Sequence, residues 1–236
     1  MIKLVTFQKR VPSLTRPGFE ERWRTVHGPI AATFPGLRGY MLGFSLDAGE
    51  PAADGIAQLW FDSREACQAS YASDIGRNGS ADASKWLARR EHLLATEEWL
   101  EHGGDGAAPF KLVLCVKRPG IEARAAFLDR LRAAAKDLVG NTGAVRGRLS
   151  LDDAGLLLNS RTEGSLQLRE GEAPYDALVE LWFADRPTAE AGRAGLRGWM
   201  DVALKGRISR WEDALLSEHV VVPPPLAGGA GKEGLS

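Results

Sequence analysis

The chain has 236 residues, of which 44% are hydrophobic and 26% charged, a balance typical of a soluble globular protein. Its 30 Lys and Arg nearly equal its 31 Asp and Glu, so no strong net field would attract nucleic acid or an anionic membrane, and we expect neither as a partner. No window approaches the roughly 18 apolar residues of a membrane span, and the N-terminus lacks the apolar region of a secretory signal. These features predict a cytoplasmic protein.

The sequence contains no motif for a metal, a nucleotide or a catalytic nucleophile. There is no His-x-x-x-His and no Cys-x-x-Cys, and we interpret Cys67 and Cys115 as buried small residues. The stretch Gly103-Gly-Asp-Gly opens no helix and is not a phosphate-binding loop. We therefore expect neither a metal nor a cofactor.

The hydrophobic pattern of the first hundred residues predicts four strands and two main helices. The strands are predicted at 2–10, 37–46, 55–61 and 92–100, and the helices at about 19–30 and 63–75. Residues 78–84 are predicted as a loop and 85–90 as a short helix. In the first helix, apolar residues at steps of four, three and four predict one buried stripe, formed by Phe19, Trp23, Val26 and Ile30.

The same pattern then occurs a second time. Residues 2–10 match 110–118 at an offset of 108, and Leu59-Trp60-Phe61 matches Leu181-Trp182-Phe183 at an offset of 122. An insertion of 14 residues, predicted as a long exposed hairpin at 155–171, aligns the two halves. Because the register, the apolar stripe and the tripeptide all agree, the sequence predicts a tandem duplication.

Composition predicts where the two repeats begin and end. Residues 103–109 are predicted as a linker, and the proline- and glycine-rich residues 223–236 as a disordered tail. This leaves 1–102 as a first unit, which carries the candidate site, and 110–222 as a second, degenerate unit.

The order strand, helix, strand, strand, helix, strand is that of the ferredoxin-like βαββαβ unit, a four-stranded antiparallel sheet with two helices on one face. Two such sheets can cover each other face to face. The sequence therefore predicts an α+β protein of two tandem ferredoxin-like units, with a ligand cavity between or beside the sheets.

An opening strand with Phe7 and Arg10, the motif Phe19-x-x-x-Trp23-x-x-x-His27-Gly-Pro29 and the pair Gly39-Tyr40 form a pattern that resembles the EthD-like family of the dimeric α+β barrel superfamily. Members are commonly homodimers of single units, so the resemblance implies an intrachain dimeric α+β barrel, which can still associate as a homodimer. Relatives include cofactor-free enzymes that act on polyketides, muconolactones and quinol-like aromatics, and also haem-handling proteins.

His27 is the leading candidate for a catalytic residue. It lies at the edge of the predicted apolar stripe, where a half-buried imidazole could act as a general acid or base. Pro29 cannot donate to the carbonyl of Thr25, so the helix should kink or end beside His27. A structural histidine bonded to local backbone is the alternative. A histidine so placed is more often structural, but the second half has Ala135 at the matching position, which brings the two interpretations close to even.

Four further side chains complete the candidate site. Tyr40 is a second catalytic candidate that could orient a ligand or donate a proton, although a packing role is open. Trp23, Trp60 and His92 are candidates for substrate binding. Trp23 could equally be core, and His92 could face solvent. Because side chains alternate along a strand, either Trp60 or Phe61 faces the space between the sheets.

Three hypotheses for the function follow. The first is a cofactor-independent enzyme of the isomerase, dehydratase, decarboxylase or oxygenase type, which acts on an aromatic, polyketide-like or lactone substrate by proton transfer through His27. The second is a binding protein for haem or another hydrophobic ligand, with His27 or His92 as axial ligand. The third is a non-catalytic oligomerisation module whose interior is filled by its own side chains.

Overall fold

A computed structural model describes residues 1–101, 108–153, 156–159, 167–170 and 173–225. The predicted linker 103–109 and the predicted tail 223–236 lie mostly outside these ranges. Within them, no helix is long and apolar enough to cross a bilayer. Cys67 and Cys115 are both buried free thiols.

The described chain contains ten strands, seven α-helices and a π-helical turn. In chain order the strands are β1 Ile2–Arg10, β2 Leu37–Ser45, β3 Gly55–Phe61, β4 Leu87–Glu101, β5 Phe110–Lys117, β6 Arg146–Asp152, β7 Leu156–Asn159, β8 Gln167–Glu170, β9 Ala177–Phe183 and β10 Arg210–Val222. The helices are α1 Arg16–Arg22, α2 Gly28–Ala32, α3 Arg64–Ala72, α4 Asp74–Ala83, α5 Arg124–Ala135, α6 Leu138–Thr142 and α7 Arg186–Ala203. A π-helical turn, Trp23–His27, joins α1 to α2.

Eight of these strands form one closed antiparallel barrel in the order β1-β3-β2-β10-β5-β9-β6-β4. Each half supplies a four-stranded ferredoxin-like sheet, and the sheets join edge to edge where β2 pairs with β10 and β4 pairs with β6. The remaining strands, β7 and β8, pair as a separate ribbon within the predicted 14-residue insertion. Because closure leaves none of the eight strands with a free edge, the predicted α+β fold is confirmed as an intrachain barrel.

Side-chain alternation divides each strand between the barrel interior and the helices. In β3, Ile56, Gln58 and Trp60 face the interior, whereas Ala57, Leu59 and Phe61 pack under the helices of the first half. One end of the interior is apolar and includes Phe7 and Val113. The other end is charged. Lys3, Lys111 and Glu180 meet there across the two sheets, and all three are at most 1% exposed. Side chains thus fill the charged end, whereas a cavity of about 80 Å³ opens at the apolar end, lined by Phe7, Ile56 and Cys115 among others.

Two predicted segments of the first half are wrong. Residues 78–84, predicted as a loop, belong to α4, whose N-terminus is capped by the Ser73 side chain. Its glycines are there for close packing, since a Cβ at Gly79 would lie 2.8 Å from the Phe34 ring. Residues 85–90, predicted as a short helix, contain the start of β4. The helix predicted at 63–75 ends at Ala72.

The predicted offset of 108 aligns Tyr40 with Arg148, and the structural repeat differs from this alignment. Tyr40 pairs with Leu59, and Gly147 pairs with Leu181, so Gly147 rather than Arg148 is the counterpart of Tyr40. The cause is a register shift in β2 between Leu37 and Gly39. As a result, Tyr40 and Arg148 lie on opposite faces of their sheets.

Candidate functional site

A partly open cavity lies in the first half between the sheet and the helices that cover it. The volume of the cavity, measured as the room for the centres of water-sized groups, is about 30 Å³. The sheet contributes the floor, and α2, α3, α4 and the π turn contribute the walls. The polar lining residues are Thr6, Gln8, His27, Tyr40, Tyr71, Ser80, Arg90 and His92. The cavity therefore lies on the helix side of the sheet, and not between the two sheets.

The π turn places His27 in the wall of this cavity. The Gly28 N–H donates to the carbonyl of Trp23, five residues back, and Pro29 has no N–H to restore the regular pattern. A Cβ at Gly28 would lie 2.8 Å from the Trp23 carbonyl oxygen, so the turn requires glycine. The extra residue rotates the buried face of the helix. Val26, predicted to be in the buried stripe, is 40% exposed, whereas His27 is 7% exposed.

His27 is held by a carboxylate on α4. Its Nδ1 lies 3.2 Å from Oδ2 of Asp82, and Arg22 donates to the other oxygen of Asp82 at 2.6 Å. Its ring packs edge-on against Trp86, with the centroids 5.3 Å apart. Because a carboxylate accepts hydrogen bonds, we assign the His27 proton to Nδ1. Nε2 then carries a free lone pair and has no hydrogen-bond partner within the described residues.

The surroundings of His27 favour the neutral ring. Burial lowers the pKa of His27 below its ordinary value of 6.5, and the nearby positive charges of Arg90 and Arg22 act in the same direction. The Asp82 carboxylate acts in the opposite direction but does not outweigh burial. His27 is therefore a neutral, oriented base at pH 7, which is the state that a general base requires.

The floor of the cavity carries the second histidine. His92 on β4 lies directly opposite Thr6 on β1, and its Nδ1 is 3.0 Å from the Thr6 hydroxyl. It is 3% exposed, so the expectation that it faces solvent is wrong. Burial lowers the pKa of His92 to about 3, and the positive charge of Arg90 contributes to the shift. His92 is consequently uncharged near neutral pH.

Arg90 lies two residues from His92 and supplies positive charge to the cavity. It donates to the Ser84 hydroxyl at 3.1 Å, and no carboxylate lies within ion-pair distance of it in the described chain. The Tyr71 hydroxyl approaches from α3, and burial raises the pKa of Tyr71 well above 10. Arg90 and Tyr71 can therefore both donate a hydrogen bond to a negatively charged oxygen.

Tyr40 lines the cavity, but Trp23 lies behind it. The Trp23 indole N–H donates to the Tyr40 hydroxyl at 2.9 Å, and both side chains are at most 1% exposed. Burial raises the pKa of Tyr40 above 10, so the hydroxyl keeps its proton. Trp23 does not line the cavity. It positions Tyr40 and packs over Gly55, where a Cβ would lie 2.4 Å from the ring.

Trp60 lies on the opposite face of the sheet from this cavity. It points into the barrel and donates to Glu97 at 2.7 Å, and Lys3 lies 5.7 Å from its ring centroid. The sequence left open whether Trp60 or Phe61 faces the space between the sheets, and the structure selects Trp60. Because it lies on the opposite face, Trp60 is not brought together with His27, Tyr40 and His92.

Sequence reasoning missed Asp82, Arg90, Tyr71 and Ser80. Asp82 and Ser80 lie in the segment predicted as a loop, which concealed their approach to His27. A usable pattern was present on β1. Thr6 and Gln8 on its helix-facing side match Leu114 and Val116 in the second half, and these two residues belong to the packed core there. Polar residues in the first half where the second half has apolar ones mark the side of the first sheet that carries the cavity.

Comparisons with known proteins match this half of the chain. Residues 11–90 match the model of the EthD domain. An uncharacterised 11.0 kDa protein in the thcB-thcC intergenic region of Rhodococcus erythropolis is 30% identical over 82 residues, which are 34% of this chain and 80% of that protein. The domain match contains the motif from Phe19 to Pro29 and the pair Gly39-Tyr40.

Solved structures match the whole barrel at low identity. An anthrone oxidase-like protein has a TM-score of 0.64 at 11% identity and covers 96% of this chain and 95% of its own. A chlorite dismutase from Candidatus Nitrospira defluvii in complex with imidazole has a TM-score of 0.52 at 12% identity and covers 93% and 91%. Such identities establish the fold and not the chemistry. With the domain match and the Rhodococcus relative, they lead to one assignment: the chain belongs to the EthD family.

Proposed function

We propose that this protein is a cofactor-independent enzyme that removes a proton next to a carbonyl group of a small substrate. The observation that supports the proposal most directly is the pair formed by Asp82 and His27. It orients a neutral imidazole with a free Nε2 lone pair in the wall of a polar cavity. A structural histidine would also need a bonded partner when buried, but it would have no need of a cavity beside its second nitrogen.

In the proposed reaction, His27 Nε2 accepts the proton of a carbon next to the carbonyl. The C–H bond breaks, and its electron pair moves onto the carbonyl oxygen to give an enolate. Arg90 stabilises the negative oxygen, and Tyr40 or Tyr71 can donate a hydrogen bond to it. Return of the proton from His27 to another atom of the enolate completes an isomerisation, in which no redox partner is needed.

The substrate class that we propose is an aromatic, polyketide-like or lactone compound. Phe34 and Tyr71 give the cavity aromatic walls, and the internal space accepts one polar edge of a ring rather than a large ligand. The same deprotonation would begin a cofactor-free oxygenation with O₂ as co-reactant. The description of one structural neighbour as anthrone oxidase-like is compatible with this class.

The other two hypotheses have less support. A haem would need its iron within bonding distance of His27 or His92, and both rings are buried, at 7% and 3% exposed. An oligomerisation module leaves the cavity and its histidines unexplained, and the barrel interior is not completely filled by side chains. We also propose that residues 1–102 form the unit with the site and that 110–222 form the structural partner that closes the barrel.

The experiment is an exchange assay that does not require the natural substrate. Anthrone and 4-hydroxy-6-methyl-2-pyrone are incubated in D₂O with the protein, and loss of the exchangeable C–H signal is followed by NMR. We expect the wild type and a His219→Gln control, altered at an exposed histidine of β10, to accelerate exchange equally. His27→Gln should lose roughly 10²-fold or more. Full exchange activity in His27→Gln would refute the proposal.

A further inference from the structure

The floor and one wall of the cavity hold buried polar atoms that bond to nothing in the described chain. They are Oε1 of Gln8, Oγ of Ser80 and Nε2 of His92, whose residues are 4%, 6% and 3% exposed. A buried polar group without a partner destabilises the fold, so a purely structural core would replace it by an apolar side chain. The second half does this at the position of Gln8, where it has Val116.

The hydrogen-bond partner of His92 determines what its Nε2 offers. Thr6 is 3% exposed, and its hydroxyl proton has one acceptor within reach in the described chain, Nδ1 of His92. If Nδ1 carried the proton instead, the Thr6 proton would be buried without a partner. The arrangement that satisfies Thr6 puts the ring proton on Nε2. His92 then presents an N–H donor to the cavity.

Gln8 presents the opposite type of group. Its Oε1 is an acceptor. Gln8 lies two residues after Thr6 on β1, on the same helix-facing side, and pairs with Arg90 on β4. The floor thus combines an acceptor with two donors, His92 and Arg90, within one cavity. This combination fits a ligand that carries a hydroxyl and a carbonyl oxygen close together.

We infer that the floor of the cavity is a specificity subsite for a hydroxy-carbonyl head group. The carbonyl oxygen accepts from His92 Nε2 and Arg90, and the hydroxyl donates to Gln8 Oε1. The inference rests on the proposed function in one respect, because both place the ligand in the same cavity. Binding by the floor needs no proton transfer by His27. The space of about 30 Å³ exceeds the ~10–15 Å³ that one water requires and suits two oxygens on neighbouring carbons.

The test compares two probes that differ in one group, 3-hydroxy-2-methyl-4-pyrone and its 3-methoxy ether. Binding to the full chain is measured by calorimetry. We expect the hydroxy probe to bind at least tenfold more tightly to the wild type, because the ether cannot donate to Gln8. Gln8→Met should reduce this ratio to near one. Thr6→Val/His92→Phe should weaken both probes. The His219→Gln control should change neither.

His27→Gln separates this inference from the proposed function. If the subsite is real, the variant keeps the tenfold ratio even where it has lost proton exchange. Thermal unfolding of Gln8→Met should show an unchanged or raised Tm, since the substitution removes an unpartnered buried acceptor. Absence of binding, equal binding of the two probes, or an unchanged ratio in Gln8→Met would each overturn the inference and leave water as the occupant of the floor.

Discussion

Glu180 at the charged end of the barrel interior offers the sharpest test of how the two halves are held together. Its carboxylate is fully buried and lies 2.6 Å from Lys3, 2.9 Å from Lys111 and 3.3 Å from Arg148. These cations make its pKa lower than 4.5 despite burial, so it is ionised. Glu180→Gln keeps the size of the side chain and removes its charge.

The cost can be estimated from these distances. At an effective dielectric constant near 20, each contact is worth about 6 kcal/mol of gross attraction. Burial of the carboxylate and repulsion among the cations offset most of it. Removal of one partner from a buried ion pair typically costs about 3–5 kcal/mol net, because an uncompensated charge remains. Glu97 and Glu218 still neutralise two of the three cations, so we expect a value in this range.

Calorimetric unfolding measures the effect. For a chain of this size, about 4 kcal/mol corresponds to a fall in Tm of roughly 8–16 °C. Asp62→Asn, which breaks the exposed ion pair with Arg38, is the control and should leave Tm unchanged. A Tm of Glu180→Gln within about 3 °C of the wild type would show that the charged layer does not hold the barrel together and would refute the estimate.

Three further predictions concern the cavity. His92 binds a proton below about pH 6.5 when unfolded but only near pH 3 when folded, so it makes the protein less stable as pH falls. Between neutral pH and pH 4.5, the free energy of unfolding of Thr6→Val/His92→Phe, measured by chemical denaturation, should therefore fall by about 2–3 kcal/mol less than that of the wild type. Equal losses would contradict the burial of His92. Gly28→Ala should lower Tm and exchange activity, because the new Cβ meets the Trp23 carbonyl. The control Gly198→Ala has open space around its Cβ and should keep both. Equal behaviour of the two variants would show that the π turn is dispensable. Asp82→Asn should reduce exchange at least tenfold with little change in probe binding, and wild-type exchange rates would show that Asp82 does not orient His27.

The strands and the resemblance could be predicted because they depend on short-range alternation and on matched spacing. The bounds of β3 agree with the predicted 55–61, and the register of β1 with β3 recurs 108 and 122 residues later, with Lys3 opposite Trp60 and Lys111 opposite Trp182. His27 could be selected because it has no counterpart in the second half.

The position of the cavity could not be predicted in the same way. Lys3, Lys111 and Glu180 look like ordinary strand residues in the sequence, and only the closed barrel shows that they fill the space between the sheets. Asp82 was missed because glycines next to it suggested a loop, whereas Gly79 serves close contact with Phe34. These features depend on contacts between distant segments, which local patterns do not contain.

The pH dependence of the exchange reaction tests the central claim, that His27 is the base, most directly. The rate is measured from pH 4 to 8 alongside the ¹⁵N NMR titration of the His27 ring, with His27→Gln as the assignment control. Since burial lowers the pKa of His27, the two midpoints should coincide below 6.5, and the rate should rise with pH to a plateau as the ring loses its proton. A rate that does not follow the His27 titration, or that persists in His27→Gln, would contradict the account.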